Sequence, residues 1–154
     1  GLNIALNYKG FDFSMFWQGV YDQDVYTNQK FQTDFWAVND PGSNKGTRLL
    51  NAWNTNNTSS SIPRLSTMNT ADEGRASSYF VENGSYLKLR TLQIGYNIPK
   101  SVLSKVKMSS ARIYVSGQNL LTIKSKSLTC SDPENPDWNY PLATSLSFGL
   151  QVGF

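Results

Sequence analysis

The stretch "TSLSFGLQVGF" that closes the chain alternates without a slip. Leu146, Phe148, Leu150, Val152 and Phe154 share one phase, and Ser145, Ser147, Gly149, Gln151 and Gly153 share the other. A period of two sends successive side chains to opposite faces of a strand. One face is therefore apolar to the last residue, and the other carries nothing large and nothing charged. The same pattern opens the chain. Leu2, Ile4, Leu6 and Tyr8 alternate with Asn3, Ala5, Asn7 and Lys9. After Lys9-Gly10, the residues Phe11, Phe13, Met15, Trp17 and Tyr21 alternate with Asp12, Ser14, Phe16 and Gln18. Two strands joined by a tight turn at Lys9-Gly10 are predicted.

Alternation returns in "SYLKLRTLQIGYNIP", where Leu92, Ile94, Tyr96 and Ile98 oppose Thr91, Gln93, Gly95 and Asn97. Leu87 and Leu89 are out of step with them. A bulge near Arg90–Thr91, or a strand continuing beyond a membrane, accounts for the slip. Pro99 stops the strand, and "KSVLSKVKMSS" reads as a compact connection with one helical turn. In "ARIYVSGQNLLTI", Ala111, Ile113, Val115 and Gly117 oppose Arg112, Tyr114, Ser116 and Gln118. The strands are expected near 2–9, 11–21, 86–98, 111–123 and 144–154. Loops rich in Asn, Ser and Thr fill 22–85 and 124–143, with helical turns near 29–38 and 47–54. Antiparallel strands then put both long loops at one end, and both compact connections and Phe154 at the other.

Composition narrows the classes. The chain has 154 residues, enough for one domain, and no run nears the roughly 20 apolar residues of a spanning helix. Only 16% of residues are charged, against about 25% in an average domain, while 13% are aromatic. The net charge of +3 is scattered along the chain, so no nucleic-acid partner is indicated. The single Cys130 excludes an internal disulfide, and the lack of histidine removes the commonest general base and metal ligand. No catalytic constellation emerges, since Asp22/Asp24 and Asp72/Glu73 are loop carboxylates with no organised nucleophile. The expectation is a non-enzyme without a cofactor. Gly1 opens in mid-pattern, so the chain is expected to be a piece of something longer.

Alternation alone fits two architectures. In a β-sandwich the apolar face is core and the polar face is wet. In a transmembrane barrel the apolar face meets lipid and the polar face lines the lumen. Three details favour the barrel. The polar face is poor in Lys and Glu; Tyr8, Phe11, Trp17, Tyr21, Tyr96 and Phe154 sit near strand ends, where interfacial girdles lie; and the chain stops on an aromatic.

Specific motifs carry a resemblance. "SYFVENGSYLKLRTLQIGYNIPKSVLSKVKMSSARIYVSGQNLLTI", with its "GQNLLT" segment (Gly117–Thr122), resembles the C-terminal region of SusC/RagA-like, TonB-linked outer-membrane transporters. "NYKGFDFSMFWQGVYDQDVY", "LLNAWNTNNTSSSIPRL" and "CSDPENPDWNYPLATSLSFGLQVGF" are similar to further elements of that family, in order along essentially the whole chain. The resemblance implies the last five strands of a barrel of about 22 strands, with the plug and the TonB-contacting segment elsewhere. It implies the outer membrane of a Gram-negative bacterium, with the C-terminus at the periplasmic side. Its partners would be the remaining strands and plug, the TonB complex, a SusD-like surface lipoprotein, membrane lipid, and an oligosaccharide or oligopeptide cargo. Leu146, Phe148, Leu150, Val152 and Phe154 would then also form the signal read by the membrane-insertion machinery. The alternatives are a secreted β-sheet carbohydrate-binding module and a passive porin.

The candidate site residues follow from side-chain chemistry. Trp36, Trp53, Trp138 and Tyr140 are loop aromatics whose flat rings suit sugar faces or peptide groups. Gln18, Gln93, Arg112, Tyr114 and Gln118 are expected to face the lumen, with Arg112 contacting a plug. Asp132, Glu134 and Asp137 are hard oxygen ligands close enough for calcium, although Pro133 and Pro136 favour a rigid turn instead.

Overall fold

Cross-strand pairing carries the alternation through the whole sheet. The computed structural model describes residues 1–36, 44–68, 72, 74–137 and 140–154. Its longer strands are β1 (Leu2–Tyr8), β2 (Phe11–Val20), β5 (Tyr86–Asn97), β6 (Ser110–Lys124) and β7 (Ser145–Gly153), with short strands β3 (Asp24–Tyr26) and β4 (Val81–Asn83) between β2 and β5. The long strands form one antiparallel sheet in the order β1-β2-β5-β6-β7, and β3 pairs with β4 separately. The expected strand boundaries hold to within about one residue.

Directly paired residues share a face of an antiparallel sheet. One cross-strand row runs Leu6, Phe13, Ile94, Val115, Phe148, and the next runs Tyr8, Phe11, Tyr96, Ile113, Leu150. Between them, on the other face, runs Asn7, Asp12, Gly95, Tyr114, Gly149, and beyond it Ala5, Ser14, Gln93, Ser116, Ser147. The two faces are chemically distinct across all five strands. Side chains of the apolar face remain exposed: Leu6 by 61%, Ile113 by 49% and Phe148 by 85%. A contiguous apolar surface of this extent is foreign to a soluble monomer.

The phase slip in β5 is a bulge. Phe16 pairs with Thr91 but Trp17 pairs with Leu89, so the register steps over Arg90. On the other side Thr91 pairs with Gln118 and Leu89 with Leu121, so two residues of β6, Asn119 and Leu120, stand opposite the single Arg90 of β5. Asn119 takes a left-handed φ of 51°, the bulge conformation that asparagine tolerates best after glycine. The displaced register returns Leu87 and Leu89 to the apolar face. The first hairpin turns through Lys9 (φ 47°) and Gly10 (φ 88°), the paired positive values of a type I′ turn. At the same end, Pro99 precedes α2 (Lys100–Leu103), which runs into a 3₁₀ turn over Ser104–Val106.

The described residues divide into two units. The sheet belongs to Gly1–Asp22, Ser85–Ser125 and Pro141–Phe154, and the second unit comprises Gln23–Gly84 and Lys126–Tyr140. The second unit was expected as loop with helical turns near 29–38 and 47–54; turns stand near both places, and the unit also has strands and a core of its own. Besides β3 and β4 it contains α1 (Asn28–Phe31), a π-helical turn over Gln32–Trp36, and 3₁₀ turns over Thr47–Asn51 and Ser78–Phe80. Phe80, 1% exposed, is its centre, with the rings of Tyr26, Phe31, Phe35 and Tyr79 packed round it at centroid distances of 5.3–5.8 Å. Leu49, Leu128 and Cys130 are buried in the same unit. Strands of three residues are too short to show alternation, so β3 and β4 left no trace in the sequence pattern.

A charge placed on the apolar face tests which solvent it meets. Phe148→Arg in the full-length protein is expected to cost about 2–4 kcal/mol of stability in lipid, while Ser147→Arg on the opposite face costs well under half of that. Urea unfolding in liposomes, followed by heat-modifiable gel migration, measures both. Equal effects would mean that the two faces meet the same medium.

Candidate functional site

The polar face of the sheet is organised around missing side chains. Asp12 on β2 is paired with Gly95 on β5, and Arg112 enters from β6. With no side chain at Gly95, the two charges meet above it: Arg112 Nε donates to Asp12 Oδ1 at 2.9 Å, and Nη2 donates to Oδ2. A Cβ at position 95 would fall 2.5 Å from Asp12 Oδ1 and 2.6 Å from Arg112 Nη2. Arg112 Nη1 also donates to Gln151 Oε1 on β7 at 3.3 Å, and Asn97 Nδ2 donates to Asp12 Oδ1 at 3.3 Å. The guanidinium lies 5.0 Å from the centre of the Tyr114 ring. That ring in turn lies over Gly149, where a Cβ would be 2.1 Å from ring Cζ. Bidentate pairing combined with cation–π contact is a pattern that arginine serves and lysine does not.

Gln18, Gln93, Arg112, Tyr114 and Gln118 all project from this one polar face. Arg112, expected to contact a plug, donates within the sheet through Nε and Nη2 to Asp12 and through Nη1 to Gln151. Arg90, at the bulge, donates through Nε to Gln18 Oε1 at 3.0 Å and through Nη1 to Asn119 Oδ1 at 3.4 Å. Such a face is a finished wall. Its charges hold strands in register.

The second unit holds a second polar assembly, which no sequence motif announced. Asp34 is 1% exposed. It accepts from Arg48 Nε at 2.7 Å and from the Tyr79 hydroxyl at 2.6 Å. Glu82, also buried, accepts from the Thr129 backbone N–H at 2.7 Å and the Thr129 hydroxyl at 2.8 Å, and pairs with Lys30 Nζ at 3.2 Å. Burial raises the Tyr79 phenol, and its hydrogen bond to Asp34 raises it further, so the group stays a donor at any physiological pH. Burial pushes the Glu82 carboxyl up, but the Thr129 donors and Lys30 together pull it below its usual range.

Trp36 ends the π-helical turn, Trp53 is 37% exposed and Tyr140 is 97% exposed, whereas Trp138 lies outside the described residues. Leu146, Phe148, Leu150 and Val152 project from the apolar face of β7, with Phe154 exposed just beyond it. In the proposed calcium turn, Asp132 is buried and its Oδ1 accepts from the Glu134 backbone N–H at 3.0 Å, closing an Asx turn; Glu134 and Asp137 are exposed. Among the described residues, no group of three or more acidic, Cys or His side chains is placed to hold a metal ion.

No family model matches the chain. It is 36% identical over 122 residues, 79% of its length, to TonB-dependent receptor P3 of Formosa agariphila. It is 28% identical along its entire length to TonB-dependent receptor P26 of the same organism. The chain spans 11% and 16% of the length of these curated relatives. Among solved structures, it superposes on the RagAB peptide transporter with a TM-score of 0.72, and on the RagAB peptide importer in its closed-closed state with 0.74. Both are 25% identical, with 96% of this chain covered and 16% of theirs. With the exposed apolar face, this likeness places the chain among outer-membrane β-barrel segments of the TonB-dependent receptor type. Within that class its resemblance is to the SusC/RagA-like transporters.

Two predictions follow from the two polar assemblies. Gly149→Leu is expected to cost about 1–3 kcal/mol by driving a side chain into the Tyr114 ring. Tyr114→Ala should recover part of that loss in the double variant, as read from unfolding midpoints of the full-length protein in detergent. Glu82 has a depressed folded-state pKa, so its stabilising effect is present above the usual carboxylate value of about 4.3 and disappears as pH falls below it. Protection factors of the backbone amides in 23–36 and 78–84, corrected for the intrinsic pH dependence of exchange, should therefore fall as pH drops below about 4.3, and Glu82→Gln should flatten that dependence.

Proposed function

We propose that the chain forms barrel wall and substrate-side loops of an outer-membrane TonB-dependent importer. Its cargo is an oligopeptide or oligosaccharide, and a SusD-like surface lipoprotein works beside it. The observation that carries this reading is the unbroken row Leu6, Phe13, Ile94, Val115, Phe148 on one face, with small polar and glycine positions on the other. Hydrocarbon is the solvent that such a face suits.

The outer edges of β1 and β7 have no strand beside them among the described residues. Each unsatisfied backbone group in a bilayer costs several kcal/mol, so these edges require neighbours from the rest of a barrel. Tyr8, Phe11 and Tyr96 cluster at the compact-connection end, with Phe11 and Tyr96 ring centres 4.6 Å apart. They suit one interface of the bilayer, which we assign to the periplasmic side together with Phe154. The second unit then belongs outside the cell, where cargo arrives. The wall catalyses nothing; a plug encoded elsewhere moves, and the inner-membrane proton gradient supplies the energy through TonB.

Uptake separates this reading from a passive pore. Cells carrying the full-length protein should accumulate a fluorescent oligopeptide or oligosaccharide, and a protonophore should abolish the accumulation. Uptake that survives the protonophore would make the protein a porin. A sheet recovered in the soluble secreted fraction would make it a binding module.

A further inference from the structure

The second unit contains a cavity of about 470 Å³, within the roughly 300–1,000 Å³ usual for small-ligand sites. Its floor is made by Phe35, Tyr79 and Phe80, with Phe35 ring centres 5.5 Å from Tyr79 and 5.8 Å from Phe80, and Pro63 stands alongside. This floor is preorganised. Phe80 is fully packed, and the Tyr79 hydroxyl is tied to buried Asp34 at 2.6 Å, so the rings lose little freedom when something lands on them.

Two opposite charges line the same cavity. Asp72 and Arg75 flank a turn in which the Arg75 backbone N–H donates to the Asp72 carbonyl at 3.0 Å, with Asp72 in the left-handed region at φ 55°. Both side chains are exposed, and neither has an ion pair among the described residues. The contrast with the same unit's interior is sharp, because there Lys30, Arg48, Asp34 and Glu82 are all engaged with one another. Charges of both signs beside an aromatic floor, without an ion pair among the described residues, complement a zwitterion that carries an apolar group.

We propose that this cavity captures a short peptide, with an apolar side chain on the rings of Phe35 and Tyr79, which Phe80 backs from below. Its carboxylate pairs with Arg75 and its ammonium faces Asp72. A neutral glycan would also stack on the rings, but it leaves both charges unanswered. The assignment rests on the import reading and selects the peptide branch of it.

The test uses the full-length receptor in detergent and isothermal titration calorimetry. The probe is the tripeptide Leu-Phe-Leu with free ends; its C-terminal amide and maltoheptaose are controls. The free tripeptide is expected to bind, with Arg75→Ala weakening it about tenfold and Arg75→Lys restoring most of the loss. Asp72→Asn should weaken it severalfold. The amide should bind more weakly and be indifferent to Arg75→Ala. Arg75 and Asp72 are exposed, so these changes leave the aromatic core intact. Absence of tripeptide binding, binding indifferent to Arg75, or maltoheptaose binding with the same Arg75 dependence overturns the proposal. Whole-cell uptake scores the wider reading separately. Protonophore-sensitive import with tripeptide binding indifferent to Arg75 sinks the cavity alone, whereas import that ignores the proton gradient sinks the transporter account.

Discussion

A sheet that shows large side chains on one side only must keep every strand in phase, because a slip of one residue turns a whole strand inside out. Here the phase is held at one place where the register shifts. The β2–β5 register skips Arg90, and that single skipped position lets Leu87 and Leu89 share a face with Leu92, Ile94 and Tyr96. The matching irregularity on β6, at Asn119 and Leu120, transmits the correction to the next strand. The Arg90 side chain then closes the defect by bonding Gln18 on one flank and Asn119 on the other. A register error has been made into a joint.

The other face obeys a complementary rule. Side chains on β6 are long and lie across the sheet, and the strands beside it supply glycine where they land. Gly95 makes room for the Asp12–Arg112 pair and Gly149 for Tyr114. The glycines therefore mark where a neighbour's bulk belongs, and the glycine-rich polar phase of the final strand is half of a packing arrangement. The other half is written in β6.

Much of this was readable in the residues. Strand spans, the Lys9-Gly10 turn, the bulge near Arg90 and the division of faces all follow from period two, because alternation is local and each long strand repeats it several times. The helical turns near Gln29 and Thr47 were also visible. What stayed hidden was built from distant pieces. β3 and β4 are three residues each, and their pairing joins Asp24–Tyr26 to Val81–Asn83. The Asp34–Arg48 and Glu82–Thr129 contacts bring together residues that no spacing rule connects. Tryptophan drew attention as the natural ligand platform, yet the cavity floor uses Phe35, Tyr79 and Phe80, which a sequence reader would assign to core. Position within the fold decided their role.

The second unit is knitted from two separate excursions of the chain, since Glu82 of the first finds its donors at Thr129 of the second. Neither excursion carries a complete set of partners by itself. Descendants of such a protein can therefore not reshape one excursion freely while the other stands still; the pair drifts as a unit or loses its interior. Anyone transplanting cargo preference between receptors of this architecture would have to move both inserts together, as one graft with two stems.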